Sequence, residues 1–457
     1  MEHLLVRLHG RRLLMADVHR SADGHGVGYG MMLIRMRRVL LVAQAQRASV
    51  FLAPARRSLN VAVTELESDD VDIIPSRGLR GLGLRVLWRL SAPFRVGDPA
   101  LWARRSVARL VLGPFYRTVE RASWLPRPLR HLLMRQGRLY RRLKATNARY
   151  AAASDGAWQT LYRTHVLEPF RALEDAGQPV PTIRLRLPAE RDAWARQRAG
   201  ALGLSPDSPI VTVHVREAGY RASGGLRQRG WDDIRNARIE DFLPTFRALV
   251  DRGYTVVRLG DPTMTPVSMR GVVDLATAPD RDAWLDVWCT MHSRFLVGCD
   301  SGPSWLAVLL GVPVLTVNAV HFRDVSRPAD RVICKLARDR VTGRTLTVSE
   351  MLTEAFLRTG FKGDRYDCVD NEPADIERAV LDMIDVVEGR ERLSWDQKRF
   401  NRRLLEVDRQ RLGGASALEG VAVVGRPRGT LSRRFAKQHF TRASDPPRVD
   451  DAGPTAG

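Results

Sequence analysis

Cysteine is scarce in this 457-residue chain, with only Cys289, Cys299, Cys334 and Cys368 present. No two of them form a C-x-x-C pair. That excludes a disulfide framework and predicts buried free thiols, in keeping with a reducing cytoplasm. Long apolar runs are missing as well. None reaches the roughly 18 residues that a membrane-spanning helix needs. The first 18 residues are interrupted by Arg7, His9, Arg11 and Arg12, which makes them a poor signal peptide. Acids are missing from one stretch. Residues 76–150 hold 18 Lys/Arg against two acids, Asp98 and Glu120, and so carry most of the net charge of +22. The basic character therefore belongs to one segment and calls for an anionic partner or surface there.

What is present is enough for two α/β domains. The hydrophobic fraction is 44%, and the length exceeds one ordinary domain. Near the start, residues 13–18 read as a strand, 23–30 as a glycine-rich turn and 31–45 as a helix. Residues 50–52 and 71–75 read as further strands. The basic segment 76–150 interleaves its arginines with Leu, Val, Trp, Phe and Tyr at helical spacing. A helix is expected over 158–176, and another opens at Pro188. These limits give an N-terminal α/β domain over 1–190 with a basic helical insertion at 76–150. A second α/β domain follows over 191–390. Residues 391–457 form a helix returning to the first domain and then a mobile tail.

The second domain carries the clearest pattern. Buried strands are expected at 210–215, 255–259, 294–299 and 313–317. Helices of about ten residues separate them, the first closed by Gly253, and this alternation implies a parallel sheet. Ligands bind such sheets outside the carboxyl ends of their strands. Three polar loops stand there: His214 to Tyr220 with Arg216, then Gly260-Asp261-Pro262, then Asp300-Ser301-Gly302-Pro303-Ser304. In the third loop Asp300 or Ser301 can cap a helix whose N-terminus suits a diphosphate. An ordinary strand-to-helix turn is the plainer reading. Arg216 is the strongest single candidate, because a guanidinium holds phosphate bidentately at any working pH. Its plainer reading is an ion pair with Glu217 or Glu240. His214 can be a donor-site residue or a satisfied core histidine. Arg235, Asn236 and Arg238 precede a helix and can face the same edge or simply form a solvated helix start. Asp261 can contact a ribose or simply cap a turn. Trp284 and Trp288 read as packing residues. No metal-binding cluster is read in this region, so neither a metal nor a resident cofactor is expected.

The runs H-V-R-E-A-G-Y at 214–220, R-N-A-R-I-E-D-F-L at 235–243 and G-Y-T-V-V-R-L-G-D-P at 253–262 occur in order. W-L-D-V at 284–287, R-F-L-V-G-C-D-S-G at 294–302 and G-V-P at 311–313 follow, with G-R-T-L-T-V-S-E-M-L at 343–352 and V-D-N-E-P at 369–373 beyond them. Together they resemble bacterial glycosyltransferases found in surface-polysaccharide gene sets. The H-x-R element also resembles that of O-fucosyltransferase-type enzymes with the GT-B architecture. The resemblance implies two Rossmann-like domains with mainly parallel sheets facing a cleft, and an inverting, metal-independent transfer. The donor would be a nucleotide-diphosphate sugar and the acceptor a glycan or lipid-linked. It implies that Arg216 meets the donor diphosphate. It implies a donor-site role for His214 and for Asp300 and Ser301; from their place at the same sheet edge, Tyr220, Arg235, Asn236, Gly260, Asp261, Gly302 and Ser304 are expected to line that site with them. A general base would come from the N-terminal domain, with His25 as the candidate and Asp17 behind it.

Two other readings compete. A non-catalytic scaffold would bind a sugar nucleotide without turnover. A nucleic-acid-binding protein would use the sequence pI of about 10.9, but no nucleic-acid motif is present and the basic segment is laced with aliphatic residues. Such lacing suits a peripheral position on an anionic membrane surface, at the inner face of the cytoplasmic membrane.

Overall fold

The computed structural model describes residues 3–8, 11–19, 28–53, 62–90, 158, 160–176, 178, 181–219, 230–279, 281–320, 327–412 and 429–440. Contacts divide the chain into two compact units. The first is Met1–Arg198 with Asp282–Trp288 and Leu309–Gly311; the second is Ala199–Arg281 with Cys289–Val308 and Val312–Gly457. Both are built on sheets that are mainly parallel, as an α/β fold requires. Among the described residues no helix is long and apolar enough to cross a membrane.

In the first unit, β1 (His3–Leu8), β2 (Arg11–Ala16), β3 (Ala48–Leu52) and β5 (Ile73–Ile74) form a four-stranded sheet in that order. β2, β3 and β5 run parallel, and β1 joins antiparallel to β2. The short β4 (Glu67–Ser68) pairs with β6 (Leu185–Arg186). Between β2 and β3 runs α1 (Tyr29–Gln46), which buries Met32, Leu33, Met36, Val39, Leu40 and Ala43 at helical spacing. It begins at Tyr29 with Gly28 as its cap, so the expected glycine-rich turn is shorter at its end than 23–30. α2 (Gly78–Leu90) lays Leu84 and Leu87 on a cluster of Leu13, Met15, Phe51, Ala53 and Ile74. The helix expected over 158–176 is interrupted by a wider π turn at Arg163–Leu167, and α3 (Glu168–Asp175) continues from it. α4 (Ala189–Ala201) starts behind Pro188, as expected.

Among the described residues the large sheet of the second unit has seven strands: β7 (Ile210–His214), β8 (Thr255–Arg258), β9 (Val272–Asp274), β10 (Ser293–Gly298), β11 (Val314–Ala319), β12 (Arg331–Cys334) and β15 (Thr430–Leu431). They are all parallel, in the order β15-β12-β11-β10-β7-β8-β9. β7 and β11 are buried along their whole length, as strands covered on both faces must be. An antiparallel pair, β13 (Leu336–Asp339) and β14 (Tyr366–Val369), stands outside the large sheet. Four helices matter most for the core: α5 (Leu243–Val250), α8 (Pro373–Val387), α9 (Trp395–Leu412) and α10 (Arg433–His439). Between α5 and α8 in the chain come α6 (Ala283–Met291) and α7 (Gly302–Leu310).

Alternation along the strands sorts the two faces. Val211 and Val213 of β7 and Leu315 and Val317 of β11 join Phe242, Phe246, Ile376, Val380, Met383 and Phe400 in one cluster. Val314 and Thr316 face the other way, toward Trp305 and Val308 of α7. Gly253 and Gly311 close α5 and α7 at positive φ, 81° and 82°, where a side chain would be strained. Trp284 and Trp288 of α6 are buried, as packing residues should be. Of the four thiols, Cys289, Cys299 and Cys334 are buried, but Cys368 on the outlying β14 is only half-buried.

The C-terminal region corrects the sequence reading. α9 is grouped with the second unit. Its Phe400 and Leu404 lie in the second unit's core beside Leu431, Phe435, Ala436 and Phe440. Residues 429–440 are a strand and a helix rather than part of a mobile tail. Gln397, fully buried, donates to the Leu431 carbonyl at 2.8 Å. Asp382 accepts from the Ser432 hydroxyl at 2.5 Å and from the Arg434 amide at 3.0 Å. Burying one large apolar side chain contributes about 1.5–3 kcal/mol. Removing Leu431, Phe435 and Phe440 together is therefore expected to cost on the order of 5 kcal/mol, a large share of a domain's stability. A chain ended after residue 428 should lose its cooperative unfolding transition in a urea titration followed by circular dichroism. A transition with the midpoint of the full chain would show that the segment is dispensable.

Candidate functional site

The order of the second sheet locates the site. From β7 the chain moves outward through β8 and β9, then crosses back to lay down β10, β11 and β12 on the other side of β7. The direction of winding reverses between β7 and β10. The loops leaving these two strands diverge to opposite faces, and in open α/β sheets this reversal is where ligands bind. His214 and Gly298 are paired across that boundary. Arg216 therefore leaves the sheet next to the Asp300-Ser301-Gly302 turn. The first and third polar loops expected from the sequence come together here, and Asp261, after β8, stands close enough to bear on the charge of His214.

His214 is buried, and desolvation lowers its pKa to about 4 despite the carbonyl beside it. Its Nδ1 lies 3.1 Å from the Leu259 carbonyl oxygen, which can only accept. Nδ1 therefore carries the proton and Nε2 holds a lone pair. This histidine is a neutral hydrogen-bond acceptor and cannot serve as a cation for phosphate.

Arg216 is half-buried and donates from Nη1 to Asn236 Oδ1 at 2.5 Å. Among the described ion pairs none joins Arg216 to Glu217 or Glu240, the plainer alternative. Glu240 lies beside the exposed Arg238, and Glu217 is taken by Arg258. Arg258 has no exposure at all. It donates to Glu217 at 2.8 Å, to Asp274 at 3.0 Å and to the Thr265 carbonyl at 2.7 Å. Glu217 in turn accepts from the Thr265 amide and hydroxyl, each at 2.9 Å. One buried cation thus ties together the loops that follow β7 and β8.

A second cation was not singled out from the sequence. Lys335 follows the end of β12 and is 3% exposed. Its ammonium donates to the Asn236 carbonyl at 2.9 Å and pairs with Asp370 at 2.6 Å. Asn236 is thus held by Lys335 at its backbone and by Arg216 at its side chain. Both cations also bear on the buried thiol of Cys299, whose pKa burial pushes up to about 11. Arg235 reaches the Asp300 carbonyl from Nη1 at 3.5 Å, bringing a third cation to the same edge. Lys335, like Arg216, is a cation that follows a buried strand, but β12 has only four residues and gives too short a pattern to mark it. Asn318, at the end of β11, gave no such signal. It is fully buried in a left-handed conformation, φ 53°, and exchanges amide hydrogen bonds of 2.7 and 2.6 Å with Asn371.

Other expected residues have local duties. Asp261 accepts from the Thr263 amide at 3.0 Å and from its hydroxyl, so it caps its own turn. A Cβ on Gly260 would fall 2.2 Å from Met264 Sδ and 2.9 Å from Ala276 Cβ, so glycine is needed for packing there. The Ser304 and Ser301 hydroxyls donate to the Cys299 carbonyl at 2.8 and 3.2 Å and bind the start of α7 to the end of β10. Asp300 is buried at that junction, and Gly302 begins α7. Asp17 is buried and accepts from the His19 amide at 2.9 Å. His25 and Tyr220 lie outside the described residues. So does Asp280, the first member of an Asp280-Arg281-Asp282 string; Asp282 accepts from the Trp284 amide at 2.7 Å. Among the described residues no group of three or more His, Cys, Asp or Glu is placed to hold a metal ion.

No protein-family model matches this chain, and no curated protein sequence does. Among solved structures it is similar to a glycosyl transferase family 9 protein from Veillonella parvula DSM 2008, at 16% identity and a TM-score of 0.23. The likeness covers 36% of this chain and 42% of that one, and at this TM-score it carries no argument.

The state of His214 has a consequence for stability. Unfolded, it titrates near 6.5; folded, near 4. The unfolded chain thus takes up the proton first, and stability is lost as pH falls from about 6.5 through about 4, by on the order of 3 kcal/mol in all. In His214→Asn the side-chain amide keeps a donor for Leu259 but cannot titrate. The drop in melting temperature between pH 7 and pH 4.5 should be smaller in that variant than in the parent protein. Equal drops would show that His214 is not held neutral.

Proposed function

We propose that the carboxyl edge of the second sheet binds a nucleotide-diphosphate sugar, and that the protein transfers the sugar to a glycan or lipid-linked acceptor. The observation that carries this reading is the gathering of Arg216, Arg235 and Lys335 around Asn236 and the Asp300 turn, at the point where the strand order reverses. A crevice there is where an open α/β sheet takes a nucleotide. The loop after β7 reads V-R-E-A-G and lacks the glycine triplet that would bring backbone amides onto a dinucleotide's pyrophosphate. Arginine takes that position instead. Guanidinium suits a diphosphate that departs, because the negative charge grows as the glycosidic bond breaks.

In this reaction an acceptor hydroxyl attacks the anomeric carbon from the face opposite the diphosphate, which inverts the configuration. The bonding electrons pass to the diphosphate oxygen, where Arg216 neutralises them. Lys335 acts through Asn236 to hold Arg216 in place. The lone pair on His214 Nε2 accepts a hydroxyl of the donor. Tyr220, Asp261, Ser301 and Ser304 complete the donor side, the last two by setting the start of α7. The acceptor's proton goes to a general base, for which His25 is our candidate. The H-V-R and R-F-L-V-G-C-D-S-G runs, with their resemblance to surface-polysaccharide glycosyltransferases, support the same assignment.

Two experiments test the reading. In a thermal-shift screen of nucleoside diphosphates and their sugars, at least one should raise the melting temperature; a ligand at 100 times its Kd adds about 2.7 kcal/mol. Arg216→Ala should abolish that shift and lower transfer by roughly a hundredfold or more. Arg216→Lys should also be poor, because a point charge replaces a fork. Binding and turnover by Arg216→Ala at the parent level would remove Arg216 from the mechanism. The second concerns metal. With cations supplied by the chain itself, transfer should persist after EDTA treatment. Loss of activity that manganese or magnesium restores would overturn that part of the proposal.

A further inference from the structure

α2 has two dissimilar faces. Leu84 and Leu87 lie inward on the first unit's cluster, and Gly81 on the same side is closed by the turn that leads into the helix, where a Cβ would fall 2.5 Å from the Pro75 carbonyl oxygen. On the opposite side Leu79, Leu82 and Val86 are 90%, 49% and 49% exposed. Their spacing puts all three on one stripe of the helix. Single exposed aliphatic residues are ordinary, but a stripe of three on one short helix is an apolar surface held in water. Arg77 and Arg80 stand at its start with guanidinium groups 71% and 64% exposed, the first 2.8 Å from Glu65 and the second 3.5 Å from Asp72.

We propose that this face of α2 docks the protein on an anionic lipid surface, with Leu79, Leu82 and Val86 in the acyl boundary and the arginines at the phosphates. Charge complementarity names the occupant. α2 opens the segment 76–150, in which 18 Lys/Arg stand against two acids. A basic helix with an aliphatic stripe suits an interface that is apolar below and negative above. Nucleic acid offers the same phosphates but gives an aliphatic stripe nothing to enter; bases stack on aromatic rings. At 13 residues α2 lies in the interface and does not span it. The inference does not depend on the transfer chemistry, and its test uses no donor or acceptor.

The test is co-sedimentation of the full chain with vesicles of phosphatidylcholine alone or mixed with phosphatidylglycerol. The protein should pellet with the mixed vesicles, be released by high salt, and stay in solution with the neutral ones. The variant Leu79→Ser/Leu82→Ser/Val86→Ser leaves the inward face intact and should keep the parent circular dichroism spectrum. Its partition onto mixed vesicles should fall roughly tenfold or more. Parent-level binding by this variant would overturn the proposal, because charge alone would then suffice. So would failure of the parent protein to bind mixed vesicles. A lipid-free dimer that the triple substitution dissolves would also overturn it, since a second copy would then cover the face.

Discussion

A guanidinium with no access to water decides how the carboxyl edge of the second sheet is built. Arg258 ends β8 and would be intolerable there alone; Glu217 and Asp274 together with the Thr265 carbonyl make it tenable. Glu217 is spent on Arg258 rather than on its neighbour Arg216. Because Thr265 is fixed through Glu217, the loop carrying Asp261 is fixed as well. The orientation of the first two polar loops thus follows from one buried charge that makes no contact with the reacting groups proposed here.

Two kinds of polar residue meet at this edge and do different work. Ser301, Ser304, Asp261 and Asn371 satisfy backbone groups that the strand ends leave open. They give the edge its shape. Arg216, Arg235 and Lys335 bring positive charge to that shape, with Asn236 as the shared anchor of two of them. His214 adds none, since burial keeps it neutral. The edge thus holds its arginines and lysine in fixed hydrogen bonds beside one neutral imidazole acceptor.

Much of this was legible from the order of residues. Strands β7, β8, β10 and β11 are apolar and β-branched runs bounded by turn signals. The helices between them announce themselves by period and by closing glycines such as Gly253. Residues that follow a buried strand directly, Arg216 among them, could be placed at the carboxyl edge from the parallel pattern alone. The signal failed where elements are short or their apolar content is spread thin. β9, β12 and β15 have three, four and two residues, too few to show a period. Residues 429–440 read as tail because their partners, Gln397 and Asp382, lie 33 or more residues away in the chain.

Sequence by itself determined the α/β class, the parallel character of the second sheet, and the edge on which polar residues would gather. These follow from periodicity, which is a property of neighbours along the chain. Tertiary structure alone decided which charges pair. The Arg258–Glu217 bond, the Lys335 grip on Asn236 and the neutral state of His214 depend on distances between residues far apart in sequence and on the exclusion of water around them. Pairing and desolvation are properties of a packed interior, and no local pattern of residues encodes them.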